Sequence, residues 1–434
     1  MINNNQIFQF RVGEKTYYYN NMSGDIFTDD TAEKLSGIIH KEPFRENDLI
    51  LWKKQKAELV GEKVEFQNLC LVLSQDCNMR CVYCYENGGS FNKTRKIMDC
   101  STIKKIVDWW ISKIPQEISL VRVEFYGGEP LLNASGFIYA VEYINGKMQQ
   151  LNKKVRYFVI TNGTLINDEI LEVLKINKVT VTLSIDGDRE SQNANRRLLG
   201  SQDSYDIVIQ NLHRLIKSDV RVLARITLTQ GNIKRLFNSI VSLWEEGINE
   251  IDCIAVLTNS EKLRIRKDDL VELRKSYEQI QKKMTENLIA GVEKFFGNYL
   301  RIIGALYDNW DKYYPMCGYY SYKKIYCTPD EELYNCEKLI GFNSESLGSV
   351  GVLNCEPLKE RITSHTYSKK CAECVMRRVC GGYCYADTKQ YSSYMEVLCE
   401  IQKMQFESAF KIYVTMMEID SNFWKKFFNN GGDV

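Results

Sequence analysis

Between residues 69 and 257 aliphatic, β-branched runs alternate with amphipathic stretches, and no other feature constrains the fold as strongly. Runs at 71–73, 121–126, 155–161, 179–185, 220–229 and 251–257 read as six strands. The stretch 101–114 sets Ile103, Ile106, Val107, Trp110, Ile111 and Ile114 on one face at helical spacing. Further helices are predicted over 204–217 and 232–246. Strands that are apolar throughout, separated by helices, indicate a parallel sheet covered on its outside. The prediction is an α/β fold, a partial (β/α)6 barrel over residues 63–260. In such barrels the C-terminal ends of the strands form the active face.

The conspicuous motifs fall just after strands. The first is Ser74-Gln75-Asp76-Cys77-Asn78-Met79-Arg80-Cys81-Val82-Tyr83-Cys84-Tyr85, which holds Cys77, Cys81 and Cys84 as C-x3-C-x2-C. Thiolates are soft ligands suited to iron–sulfur clusters. Three on one loop can cap three irons of a cubane and leave the fourth iron open. Gly127-Gly128-Glu129-Pro130 follows the second strand, Thr161-Asn162-Gly163 the third, and Ser184-Ile185-Asp186-Gly187 the fourth. Glycines permit close backbone approach, and short polar side chains suit sugar hydroxyls. Arg196 and Arg225 are candidates for a carboxylate, onto which a guanidinium forks.

Composition limits the remaining options. The 434 residues carry a formal net charge of +1, so no basic surface for nucleic acid or acidic lipid is expected. Neither a signal peptide nor a long apolar run is evident, which predicts a cytoplasmic protein that spans no membrane. Fifteen cysteines without an export signal point to metal or redox work rather than disulfides. With only three histidines, a separate His-rich zinc site is not expected.

Two regions flank the barrel. Residues 6–10, 16–20 and 26–28 read as short strands, and helices are expected to follow up to about residue 59. Residues 261–310 read as a charged helical linker. After it come Cys317, Cys327 and Cys336, then Cys371, Cys374, Cys380 and Cys384 as C-x2-C-x5-C-x3-C, then Cys399. One zinc ion could use four of these but would leave the rest unexplained. Cys70, Cys100, Cys253 and Cys355 have no partner pattern and read as small core residues.

The cysteine loop, with Tyr83 just before its third cysteine, resembles the radical S-adenosylmethionine (SAM) superfamily. The resemblance spans roughly residues 70–400. It implies a [4Fe–4S] cluster on Cys77, Cys81 and Cys84 whose open iron chelates SAM. Gly127, Gly128, Glu129 and Pro130 match the segment that receives the SAM amino group, with Glu129 supporting the loop. Ser184 and Asp186 lie in a segment that resembles the ribose-contacting one, with Asn162 as a related candidate, and Arg196 and Arg225 are candidates for the SAM carboxylate. The later cysteines resemble the SPASM extension, which holds two auxiliary [4Fe–4S] clusters. By that likeness Cys317, Cys336 and Cys384 hold one, with Cys327 as a candidate fourth ligand. Cys371, Cys374, Cys380 and Cys399 hold the other. The family has glycine five residues before the cysteine that is Cys336 here; this chain has Glu331. The doubt this raises concerns the local loop more than the cluster.

Residues 1–62 resemble, in pattern, the winged-helix domain that binds leader peptides by strand addition. Residues 311–434 would form the SPASM domain. The whole resembles maturases of ribosomally made, cysteine-rich peptides, with thioether crosslinking as the leading expectation. It implies a precursor peptide with a leader and a reducing partner such as flavodoxin or ferredoxin. Carbon–carbon crosslinking and formylglycine formation in sulfatases are the rival reactions. A protein that only carries electrons or binds peptides is the rival class, disfavoured by the intact motifs. Glu337 matches an acidic residue thought to act as base in sulfatase-maturing relatives. A partly desolvated carboxylate there would have a raised pKa.

Overall fold

The computed structural model describes residues 7–21, 23–29, 65–308, 323–364, 369–380, 382 and 384–429. The expected helices between 30 and 59, and Cys317, lie outside these.

Six parallel strands form the core: β4 (Asn68–Ser74), β5 (Leu120–Gly127), β6 (Lys154–Thr161), β7 (Thr180–Ser184), β8 (Val222–Leu228) and β9 (Glu250–Ala255). They pair in sequence order, as successive right-handed crossovers require. Leu69, Leu71, Val121, Val123, Val159, Val181 and Ala224 are wholly buried beneath the helices. The helix Cys100–Ile111 shows how the sequence sets the elements. Asp99 caps its start by accepting the Thr102 N–H at 2.8 Å. Ile103, Ile106, Val107 and Trp110 face the sheet, and the Trp110 indole donates to the Phe66 carbonyl at 3.0 Å.

The sheet is wider than the barrel expected from sequence. Two residues of the expected linker, β10 (Phe295–Phe296), pair with β9. At the other edge β11 (Lys324–Cys327) runs parallel to β4, and β12 (Leu333–Tyr334) returns antiparallel to β11. The boundaries at 260 and 310 therefore fall inside one nine-stranded sheet. The physical reason is that an exposed strand edge leaves peptide groups unpaired, and segments distant in sequence cover it.

At the N-terminus β1 (Ile7–Val12), β2 (Lys15–Asn20) and β3 (Ile26–Thr28) form an antiparallel sheet in that order. It docks on the long helix Met395–Ile419. Phe10 lies 4.4 Å from Phe410 between ring centroids, and Tyr19 lies 5.3 Å from Phe406. Aromatic burial of this kind ties the first residues of the chain to nearly the last.

Glu331 sits in the loop between β11 and β12 with φ +61°, the left-handed region. The chain thus keeps the conformation a glycine favours, although the residue is glutamate. Ion pairs clamp this hairpin to the segment after the cysteine loop: Lys93 with Glu332, Lys96 with Asp330 at 2.6 Å and Lys105 with Glu331 at 2.5 Å. A left-handed residue with a side chain costs about 1–2 kcal/mol, and an exposed ion pair returns about 0–1 kcal/mol. Glu331→Gly should therefore raise stability by up to about 1 kcal/mol in thermal unfolding, even though the pair with Lys105 is lost.

Candidate active site

The cysteine loop is fixed by its own backbone. Asp76 Oδ1 accepts the Cys77 N–H at 2.8 Å, and the Arg80 guanidinium donates to the Cys77 carbonyl at 2.6 Å. The Arg80 and Val82 N–H groups donate to the Arg197 and Asn195 carbonyls at 2.8 and 2.9 Å. The Met79 and Gly88 N–H groups point at the sulfurs of Cys77 and Cys84, at 3.4 and 3.3 Å. Such donors favour thiolates. Burial pushes the Cys77 thiol up to about 12 and the Cys81 thiol to about 11, although Arg196 pulls the latter down. Metal binding is what converts buried thiols of this kind to thiolates.

Gly127 and Gly128 border the cavity and also pack tightly against the cysteine loop. A Cβ on Gly127, at φ +138°, would lie 2.2 Å from the Ser74 carbonyl oxygen; one on Gly128 would lie 2.4 Å from that of Asp76. The Gly128 and Glu129 N–H groups donate to those two oxygens, each at 2.9 Å. The end of β5 thus closes directly on the cysteine loop. Glu129 is fully buried behind the cavity wall and accepts from Thr161 Oγ1 and the Asn162 N–H at 2.7 Å and from the Leu131 N–H at 3.0 Å. Burial pushes its carboxyl up to about 7, held back by those donors. Pro130, also buried, starts the short turn that follows. Neither residue lines the cavity.

That cavity, of about 230 Å³, is bordered by Cys77, Cys81, Cys84, Tyr83, Gly127 and Gly128. Asn162, Ser184, Arg196 and Arg225 also reach it, as does Glu337 from the far end of the chain. Asp186 does not. It is wholly buried and accepts from Tyr83 Oη at 2.6 Å, Arg196 Nε at 3.0 Å, the Thr227 N–H at 3.1 Å and Asn195 at 3.2 Å. This corrects the ribose assignment for Asp186: its oxygens are spent inside the protein. Arg196 is paired with Asp186 and stacked over the Tyr83 ring, and it also borders the cavity. Arg225 differs, because its Nε is buried with no hydrogen-bond partner among the described residues.

Glu337 is half-buried. Burial pushes its carboxyl up, but the Tyr326 hydroxyl at 2.6 Å, Lys324 and Lys338 outweigh that and leave it below the ordinary value. The expected raised pKa is thus overturned, because two lysines and a phenol stabilise the charged form. The raised carboxyl that borders the cavity is one the sequence reading missed. Burial pushes Glu86 up to about 8 against the hydroxyls of Tyr126 and Tyr85. Tyr126 donates to Glu86 and lies 2.5 Å from Tyr85, oxygen to oxygen. Its signal was an acid two positions past the third cysteine. Thr227 and Lys338 also line the cavity and were missed.

Cys371, Cys374, Cys380 and Cys399 converge on one small second cavity. Burial pushes the Cys380 thiol up to about 12, with the other three adding to the effect. Cys336 is raised by burial, Glu337 and Cys384, which makes Cys384 its neighbour. Cys327 is wholly buried in the main apolar core alongside Leu71, its ladder partner, and burial alone raises its thiol. Cys70 and Cys253 are buried as expected, Cys355 is half-buried, and Cys100 is exposed, not a core residue. Among the described residues no three His, Cys, Asp or Glu side chains gather tightly enough to share one metal ion. In a four-iron cluster each thiolate takes its own iron. No helix among the described residues is long and apolar enough to cross a membrane.

Residues 71–242, which hold the three-cysteine loop at the mouth of the first barrel strand, match the radical SAM superfamily. Three relatives refine the likeness. An uncharacterized protein of Methanocaldococcus jannaschii is 37% identical over 121 residues; the match covers 28% of this chain and 39% of that protein. The radical SAM cyclopropyl synthase TigE of Paramaledivibacter caminithermalis is 24% identical over 84% of this chain and 77% of its own. The cysteine-type anaerobic sulfatase-maturating enzyme of Clostridium perfringens is 25% identical over 78% and 94%. Two solved structures share the fold. One is anSMEcpe with AdoMet and the Cp18Cys peptide bound, at TM-score 0.68 and 20% identity, covering 81% of this chain and 99% of that one. The other is Streptococcus suis SuiB bound to the precursor peptide SuiA, at TM-score 0.55 and 17% identity, covering 89% and 95%.

Glu129 carries the join between β5 and β6. Glu129→Ala should strand one hydroxyl and two N–H groups and cost about 3 kcal/mol or more in thermal unfolding.

Proposed function

We propose that this chain is a radical SAM enzyme that oxidatively modifies a residue of a ribosomally made peptide, with thioether formation as the leading reaction. The observation that carries the reading is the cavity itself. Cys77, Cys81, Cys84, Glu337 and Arg225 all border it, and the Arg225 Nε is buried with no hydrogen-bond partner among the described residues. A cationic donor in want of an acceptor fits the carboxylate of SAM, and the three-thiol loop fits a cluster with one open iron. When bound, the cluster and SAM would supply hydrogen-abstracting radical chemistry, and an auxiliary cluster would serve as the electron sink.

The chain's own residues do the rest. Arg225 is the partner for the SAM carboxylate. Asn162, Ser184 and Thr227 offer short polar groups along the wall where a ribose would lie. Asp186 holds Tyr83 and Arg196 in place behind that wall. Glu337 takes the proton that leaves the substrate thiol as the carbon–sulfur bond forms, and its low pKa keeps the carboxylate ready to accept it. Cys371, Cys374, Cys380 and Cys399 would hold one auxiliary cluster. Cys336 and Cys384, with Cys317, would hold the other; Cys327 has the weaker claim of the candidates, given its place in the core.

A leader peptide finds its place at the N-terminal sheet. β3 lies at one edge of that sheet and, among the described residues, pairs with β2 only. An edge of this kind accepts an added strand. Formylglycine formation is the second reading, favoured by the 94% coverage of the sulfatase-maturating relative. Either product comes with deoxyadenosine; the thioether is distinguished by loss of one hydrogen from sulfur and one from carbon.

Two experiments follow. After anaerobic reconstitution, replacing Cys77, Cys81 and Cys84 together by Ala should abolish deoxyadenosine release; release at the wild-type rate would overturn the reading. Deleting residues 1–60 should weaken conversion of a full precursor far more than uncoupled deoxyadenosine release, and equal conversion would remove the leader from the reading.

A further inference from the structure

A glutamate on a short turn has several rotatable bonds, so something must decide where the Glu337 carboxylate points. The described contact that does so comes from Tyr326, whose hydroxyl donates to Glu337 Oε2 at 2.6 Å. Tyr326 is only 4% exposed and is absent from the cavity wall, so it does not meet what the cavity holds. Its ring is gripped on two sides. The Lys324 ammonium lies over it, 4.6 Å from the centroid, and Tyr126 packs edge-on at 6.2 Å. Lys324 is anchored in turn on Glu124 at 2.7 Å. Along the backbone, Tyr326 stands opposite Cys70 of β4 and Tyr334 of β12. It is therefore fixed by the same strand that launches the cysteine loop.

We infer that Tyr326 is the positioning residue for Glu337. It holds the carboxylate at one place and angle relative to the cysteine loop, where a substrate heteroatom can hand over its proton. Tyr326 itself exchanges neither proton nor electron with the substrate. The proton ends on Glu337, while the hydrogen atom and the electron leave through the bound cofactors. This rests on Glu337 being the proton acceptor. Tyr126 adds a second link. It packs against Tyr326 and donates to Glu86, so the two cavity carboxylates are set by neighbouring tyrosines on the two strands that flank β4.

The test is Tyr326→Phe in the full-length, reconstituted enzyme, which removes one oxygen and keeps the ring. Anaerobic crystal structures should show the Glu337 carboxylate turned away or spread over rotamers; an unchanged carboxylate overturns the inference. With Cp18Cys and a pool of synthetic cysteine-containing peptides as probes, and the peptide the wild type converts best chosen from them, product per deoxyadenosine should fall about tenfold or more. The KM for that peptide should stay the same. A loss of iron content or melting temperature with an unchanged product ratio would make Tyr326 a packing residue and overturn the inference. Glu337→Gln, run beside it, should lower product by about 10²-fold. Full product from Glu337→Gln overturns the proton-acceptor reading and this inference together. Product lost in Glu337→Gln but kept in Tyr326→Phe overturns this inference alone.

Discussion

The site depends on one close approach of backbone to backbone. Where β5 ends, Gly127 and Gly128 press against the carbonyls of Ser74 and Asp76, with no room for a Cβ. Two N–H donors then lock the turn to the cysteine loop. A side chain at either position would force the first and second barrel strands apart at the mouth. Everything above depends on that contact: the placement of Cys77, the buried Glu129 that bridges to β6, and the wall shared with Asn162. Glycine here is a packing requirement between two protein segments.

Electrostatics divides the cavity into two halves. On one side Asp186 collects Tyr83, Arg196, Asn195 and the Thr227 N–H, a buried charge satisfied from every direction. Such a pair is rigid because breaking either partner leaves an uncompensated charge. On the other side stand two carboxyls with opposite tendencies. Glu337 lies below its ordinary pKa among Lys324, Lys338 and Tyr326, and Glu86 lies above it through burial. Environments that push two acids apart are how one cavity keeps a proton acceptor and a protonated group at the same pH.

The C-terminal region is built into the barrel. β11 and β12 extend the sheet beyond β4, and the hairpin's ion pairs with Lys93, Lys96 and Lys105 hold it over the cysteine loop. This brings Glu337, some 250 residues along the chain from Cys84, to the same cavity. The N-terminal sheet, through Phe10 and Tyr19, closes on the last long helix. The Asn21 side chain also donates to the Cys374 carbonyl at 2.8 Å, next to the second group of cysteines.

The sequence by itself determined the six parallel strands, because period, β-branching and helix caps are local signals that agree with one another. It also placed the motifs directly after strands, where residues from several of them border one cavity. The glutamate at position 331 left the local loop in doubt, and the structure shows that it keeps the left-handed conformation. What the sequence could not set was which polar groups are spent on one another. Asp186 and Arg196 look like ligand contacts in sequence and neutralise each other in the fold. Of the groups that lower the pKa of Glu337 only Lys338 is adjacent in sequence; Lys324 and Tyr326 lie on a separate strand and reach it through the fold. Cys327 and Cys336 look alike in spacing, yet one faces the main core and the other lies beside Cys384. Partnership and burial are properties of contacts between distant segments, so only the tertiary structure decided them.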